Sequence, residues 1–263
     1  MSPRRGGGRA MKVRVLTFNT LFRGQVRARI GALAEIVERA DYDVVCLQEV
    51  ISPRILARLR GGTPSYPHRA HVRGFPLVRG GLVTLSRWPI TRSHFLTYTR
   101  SLPARPEWIL RKGALFTRVR LPDGYLTVVN THLSANLDVD WSPSNVYTKV
   151  EESELRELAA AIGRIPRTEP MAVMGDFNVP RESPFLRAFT DATGLANALA
   201  GDAEPTFRPE IAEFEPIDQI LVRPGIEATT RLVFKDDVRL ADGGAVQLSD
   251  HFGIDATLTV GTA

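Results

Sequence analysis

Short runs with β-strand composition recur along this whole chain, and their number limits how it can fold. Nine stand out, at 12–18, 43–48, 81–86, 114–121, 125–133, 171–176, 217–222, 231–234 and 252–260. Several are rich in Val, Thr and Phe, whose branched or aromatic side chains pack well on a pleated surface. Two segments carry a helical period instead. Within 26–40, Ile30, Leu33, Ala34 and Val37 fall at i, i+3, i+4 and i+7, and Leu155, Leu158, Ala159 and Ile162 repeat that spacing within 146–162. Ser52-Pro53 and Ser183-Pro184 each predict a short helix, with serine as N-cap and proline at the first position. Asp123-Gly124 is a hairpin turn signal between two of the strands. Nine strands overfill one twisted open sheet, so two packed sheets with helices outside are expected.

No repeat or low-complexity linker interrupts residues 11–263, which read as a single domain. Residues 1–10, dominated by Arg and Gly, read as a disordered basic tail. The basic residues there have no apolar segment behind them, so no signal peptide is read. No apolar run approaches the ~20 residues that would cross a bilayer, and a cytoplasmic location is the expectation. The single cysteine, Cys46, excludes an internal disulfide and a thiolate metal cluster, and its apolar neighbours make it core. A net charge of +5 suits phosphate-bearing partners, but the 34 basic residues are scattered. His68, His71 and His94 match no pattern and are read as loop residues.

The strand ends repeat a few kinds of polar group. Asn19 ends the first strand, Glu49 follows the second, His132 ends the hairpin strand, and Asp176 and Asn178 follow the 171–176 run. Asp218 opens the next strand, and Asp250-His251 precede the last. Carboxylates with amide oxygens are ligands for a hard cation such as Mg²⁺ or Mn²⁺. Histidine adds the proton transfer and charge stabilisation that hydrolysis needs. Asp176 and Asn178 are two apart and share a side on extended backbone. Asp250 and His251 are adjacent, so the chain must bend there for both to face one site. Gly175, just before Asp176, fits a close backbone approach.

The motifs TFNT, LQEV, NTHL, GDFN, IDQILV and LSDHFGI, in this order, resemble the endonuclease/exonuclease/phosphatase superfamily, over roughly residues 12–258. That superfamily includes DNase I-like nucleases, abasic-site endonucleases, inositol polyphosphate phosphatases, deadenylases and neutral sphingomyelinases. The resemblance implies a DNase I-like four-layer α/β/β/α sandwich with two packed mixed β-sheets, and a divalent-metal phosphoesterase site at one sheet edge. It implies Glu49 as main metal ligand, with Asn19 and Asp250 in or near the coordination shell. His251 would be the general base, oriented by Asp218, and Asp176 would position or activate the attacking water. Asn178 would hold a phosphate oxygen, His132 would donate to the phosphate, and Lys112, in a Lys-Gly pair shared with sphingomyelinase-like members, would bind substrate.

Within the superfamily, Asn19-Thr20 departs from the Asn-Gly pair of abasic-site endonucleases, and NTHL departs from their Pro-Asn pair. The histidine-bearing version looks more like the sphingomyelinase, deadenylase and phosphatase branches, and PTFRPE (205–210) before IDQILV resembles small bacterial sphingomyelinase-like members. The expected activity is metal-dependent hydrolysis of a phosphate ester by direct water attack, on a small or lipid-derived phosphodiester. The alternatives are a DNA or RNA nuclease and a non-catalytic nucleic-acid- or phosphate-binding member. Nucleic acid and membrane lipid are thus the macromolecular partners under consideration, and nothing implies a protein partner. Trp88, Trp108 and Trp141 are candidates to line a substrate groove.

Overall fold

The computed structural model describes residues 10–74, 76–99, 109–213, 215–240 and 243–261. The Arg/Gly-rich tail up to residue 9, and Trp108, lie outside the described residues. One six-stranded sheet has the order β11 (Ile226–Val233), β14 (Gly253–Val260), β1 (Met11–Asn19), β2 (Val44–Gln48), β4 (Val83–Ser86), β3 (His68–Ala70). A second has the order β5 (Ile90–Thr97), β6 (Gly113–Leu121), β7 (Gly124–His132), β8 (Met171–Asp176), β10 (Asp218–Val222), β9 (Ala196–Asn197). A short pair, β12 (Val238–Arg239) and β13 (Ala245–Val246), stands apart.

Both large sheets are mixed. β1 runs parallel to β2, and β7 runs parallel to β8. Parallel neighbours need a long crossover, and the two segments with helical period supply them: α1 (Val26–Arg39) and α3 (Val146–Ile162). The two Ser-Pro segments form α2 (Pro53–Gly62) and α4 (Pro184–Thr193). Ser52 accepts from Arg54 N, Ser183 accepts from Leu186 N, and proline stands at the start of each helix.

Period-two alternation sorts the strand residues into layers. In β1, Val13 and Val15 face the other sheet and pack with Val128, Met174 and Ile220. Leu16 and Phe18 face outward beneath Ile30, Leu33 and Val37 of α1. On the far side, Phe116, Val129 and Val173 pack beneath Leu155 and Leu158 of α3 and Phe189 of α4. The result is helix, sheet, sheet, helix. Cys46 lies fully buried in the middle layer, where desolvation pushes its thiol up to about 12.

The sequence misses elements in 60–112. His68 lies in β3 and His94 in β5, rather than in loops. β5 is an edge strand whose exposed Thr91, Arg92, Ser93 and His94 hide its strand character. Its His94 ring stacks on Phe116 with centroids 4.5 Å apart. The strand read at 231–234 begins earlier, at Ile226, because β11 is also an edge strand with polar residues.

Candidate active site

The alternation that buries the middle layer also builds the site. Positions that face the other sheet are apolar in mid-strand and polar at one common end. In β1 the series Val13, Val15 continues to Thr17 and Asn19; in β8, Ala172 and Met174 continue to Asp176. Strand register then sets neighbours: His132 lies opposite Asp176, and Asp176 lies opposite Asp218. Within the first sheet, Asn19 on β1 lies opposite Gln48 on β2, one residue before Glu49. Gly175 allows β7 and β8 to close up here, since at its φ of +145° a Cβ would sit 2.0 Å from Thr131 O.

Eight of the residues singled out in the sequence line one cleft of about 200 Å³: Asn19, Glu49, Lys112, His132, Trp141, Asp176, Asn178 and His251. Asp218 and Asp250 are not among its lining residues. Asp218 is buried behind His251, and Asp250 flanks it, with Oδ1 4.0 Å from His251 Nε2.

One wall is acidic. Asn19 Nδ2 donates to Asp176 Oδ2 at 2.9 Å and to Glu49 Oε1 at 3.3 Å, while Asn19 Oδ1 accepts from Leu21 N. Glu49 Oε2 accepts from Phe22 N at 2.8 Å. Two carboxylates thus converge on one amide. The opposite wall is basic. Lys112 Nζ donates to Leu133 O at 2.7 Å and lies 2.9 Å from His132 Nε2. Asn178 Nδ2 donates to the same Leu133 carbonyl at 3.0 Å, and Asn178 N donates to Asp176 Oδ1. The same His132 Nε2 lies 3.3 Å from Asp176 Oδ2, so the imidazole stands between the lysine and the carboxylate. Trp141 Nε1 donates to Asn178 O at 3.0 Å, which places the indole in the cleft wall. Trp88 instead donates to Asp43 and packs against the middle layer.

At the back of the cleft, His251 Nδ1 lies 2.9 Å from Asp218 Oδ2, and Nε2 lies 3.8 Å from Asp176 Oδ2. Burial opposes charge on both dyad partners, pushing His251 down and Asp218 up. For His251 the attraction of Asp218, then Asp176, outweighs burial and raises it to about 10. We place the shared proton on the imidazole. Asp176 is fully buried, which alone would raise it, yet the charge of His251, with His132 and Lys112, holds it well below the usual carboxylate range.

Two donor sets could seat a cation. Asp176, Asp218 and His251 offer ligand atoms within 4.8 Å of one another, but the hydrogen bond between His251 and Asp218 already joins two of them. Glu49 and Asp176, gathered around Asn19, form the other set. Its oxygen ligands match a hard divalent ion better.

Some participants carry no clear sequence signal. Gln48 Nε2 donates to Asn130 Oδ1 at 2.7 Å across the layer between the sheets. Thr206 Oγ1 accepts from Asp218 N at 3.0 Å, and the Phe207 ring meets the His251 ring edge-on at 5.1 Å. These three segments lay within recognised motifs, but nothing in the sequence tells which of their side chains turn inward.

A two-sheet sandwich with acid, amide and imidazole groups at one strand-end row is the architecture of DNase I-like proteins. The chain belongs to the endonuclease/exonuclease/phosphatase family, whose sequence model matches residues 16–251. Sphingomyelinase C of Bacillus cereus is 28% identical over 171 residues, which is 56% of this chain and 50% of that protein. Sphingomyelinase C 2 of Leptospira interrogans is 24% identical over 211 residues, 69% of this chain and 33% of that protein. The chain therefore spans half or less of the length of these relatives. Among solved structures, SmcL superposes with a TM-score of 0.78 at 17% identity, covering 94% of this chain and 99% of that one. A Staphylococcus aureus beta toxin mutant with bound magnesium ions gives 0.77 at 16% identity, covering 94% and 99%. D. rerio TDP2 complexed with a single-strand DNA product gives 0.74 at 17% identity, covering 95% and 99%. These structures share the fold. No helix among the described residues is long and apolar enough to cross a membrane.

Proposed function

We propose that the protein is a divalent-metal-dependent phosphodiesterase that hydrolyses a small or lipid-derived phosphodiester by direct attack of water. The observation that carries this reading is the pair His251 Nε2 and Asp176 Oδ2, 3.8 Å apart, with Asp176 joined through the Asn19 amide to Glu49. That gap is too long for a direct hydrogen bond, and a water lying beside the pair can contact both groups.

The residues fit a hard cation, because the Glu49 and Asp176 carboxylates converge on the single Asn19 amide. Glu49 would hold Mg²⁺ or Mn²⁺, with Asn19 and Asp250 in or near its shell; Asn19 would ligate through Oδ1 after its amide turns. Such an ion supplies Lewis-acid polarisation of a phosphoryl oxygen. The chain's own groups do the rest. Asp176 orients the attacking water, and its proton passes into the Asp176–His251–Asp218 set, which titrates as a unit. Asp218 fixes the imidazole so that Nε2 faces the water. Lys112, Asn178 and His132, on the opposite wall, stabilise the charge that develops on the phosphate oxygens.

Among the described residues, Lys112 is the one lysine or arginine lining the cleft. A nucleic-acid track would call for several phosphate contacts. At the cleft, Val139 in its lining and Phe22 beside Glu49 are instead exposed apolar side chains. That balance, with similarity to sphingomyelinases, favours a diester with an apolar portion. The test is a parallel panel with Mg²⁺: sphingomyelin in mixed micelles, bis(p-nitrophenyl) phosphate, plasmid DNA and oligonucleotides. The reading predicts cleavage of the first two. Preferential cleavage of DNA or RNA would make the protein a nuclease, and phosphate or nucleic-acid binding without turnover would make it a binding member.

A further inference from the structure

The turn that presents His251 is held by two buried arginines from distant parts of the chain. Leu248, Ser249 and Asp250 run into His251, and each of their carbonyls accepts a hydrogen bond. Leu248 O accepts from Arg29 Nη1 at 2.9 Å, Ser249 O from Arg208 Nε at 2.7 Å, and Asp250 O from the backbone N of Arg208 at 2.8 Å. Neither arginine is a surface group: Arg29 is 4% exposed and Arg208 2%.

Each guanidinium ties the turn to other segments. Arg208 also donates to Lys235 O and Phe234 O, at 3.0 and 2.9 Å, and lies over the Phe252 ring. Arg29 donates to the carbonyls of Thr20, Leu21 and Arg23. That loop carries Phe22, whose N–H holds Glu49. Arg208 belongs to a segment that pairs with the turn, Phe207 opposite His251, while neighbouring Thr206 holds the backbone N of Asp218. Both partners of the His251–Asp218 bond are therefore referenced to residues 206–208.

We propose that Arg208, seconded by Arg29, is a positioning residue for His251: it fixes the bend at 248–250 so that Nδ1 meets Asp218 and Nε2 enters the cleft. This rests on the phosphodiesterase reading for its kinetic consequence, but not for its structural one. Two buried guanidiniums cost desolvation, as the lowered pKa of Arg29 from burial reflects. A planar guanidinium spreads five donors in a fixed fork and reaches carbonyls on separate segments, a spacing that the compact ammonium with three donors does not reproduce.

The experiment compares Arg208→Lys with Arg223→Lys. Arg223 is also buried and donates to the carbonyls of Ile165, Pro166 and Glu169, beside the start of β8 and at the end remote from Asp176. Folding is checked by circular dichroism, and kcat and KM are measured with bis(p-nitrophenyl) phosphate and Mg²⁺. Displacement of a reacting group by about 1 Å costs up to ~10²-fold in rate. Arg208→Lys is expected to lose kcat on that scale with KM little changed, and Arg223→Lys to keep kcat. In EDTA, the downfield Nδ1 proton of His251, assigned with His251→Gln, should broaden or vanish in Arg208→Lys and persist in Arg223→Lys. A folded Arg208→Lys with wild-type kcat and an intact Nδ1 signal overturns the proposal, as does equal damage from both variants. If wild type cleaves no diester, the function reading fails while the proton spectra still decide the clamp. If Arg208→Lys does not fold, Arg29→Lys takes its place in the same measurements.

Discussion

Gln48 and Asn130 join the two sheets directly behind the cleft. Gln48 Nε2 donates to Asn130 Oδ1 at 2.7 Å, and Asn130 Nδ2 returns bonds to Leu47 O and Val83 O, both at 3.1 Å. Gln48 precedes Glu49, and Asn130 lies two residues before His132 on the same face of β7. The pair thus sets the spacing between the acidic and basic walls. Replacing Asn130 by Leu leaves buried polar groups without a partner, at about 1–3 kcal/mol each. Urea unfolding should show a loss of that order, and Gln48→Leu added to Asn130→Leu should cost less than the sum of the single changes.

The proton held by His251 makes stability depend on pH. Its folded value is raised from 6.5 to about 10, so its contribution is complete below pH 6.5 and disappears as pH rises toward 10. Unfolding in EDTA should show the stability gap between wild type and His251→Gln narrowing across that window. Asp176 behaves oppositely: depressed from 3.8, it stabilises above that pH and loses the contribution as pH falls further.

Removing the charge of Asp176 should abolish most turnover without unfolding the protein. Asp176→Asn keeps the shape and the acceptor for Asn19, but loses the carboxylate that faces His251 and His132. A kcat loss of about 10²–10⁴-fold is expected, in line with positioned acid–base groups. A loss expressed in KM alone would assign Asp176 to substrate binding.

Lys112 should matter for anion affinity. A hydrogen bond to a charged group contributes about 1.5–3 kcal/mol, so Lys112→Met should weaken competitive inhibition by inorganic phosphate by roughly 10-fold to 100-fold. Lys112→Arg should recover little, because Lys112 is buried against His132 and the Leu133 carbonyl.

Much of the site was legible because strand ends expose a repeating choice of residues. Asn19, Glu49, His132, Asp176, Asn178 and His251 stand at strand termini within recognisable motifs, and the fold gathers them in one cleft. Register, which no single sequence displays, puts His132, Asp176 and Asp218 side by side. The supporting residues were hidden for a different reason. Arginine is abundant in this chain and is normally exposed, so nothing marks Arg29 and Arg208 as buried. Gln48 and Asn130 stand beside other polar residues near strand ends, where side chains commonly meet solvent, yet each faces the opposite sheet. The edge strands β5 and β11 escaped full recognition because one side of each meets solvent.

The most direct test of the central claim is the rate of bis(p-nitrophenyl) phosphate hydrolysis as Mg²⁺ is returned to EDTA-treated wild type and to Glu49→Gln. Saturable recovery in wild type, with little or none in a folded Glu49→Gln, is the predicted result. Turnover that persists in EDTA, or equal recovery in the two proteins, would contradict a cation held by Glu49 at this cleft.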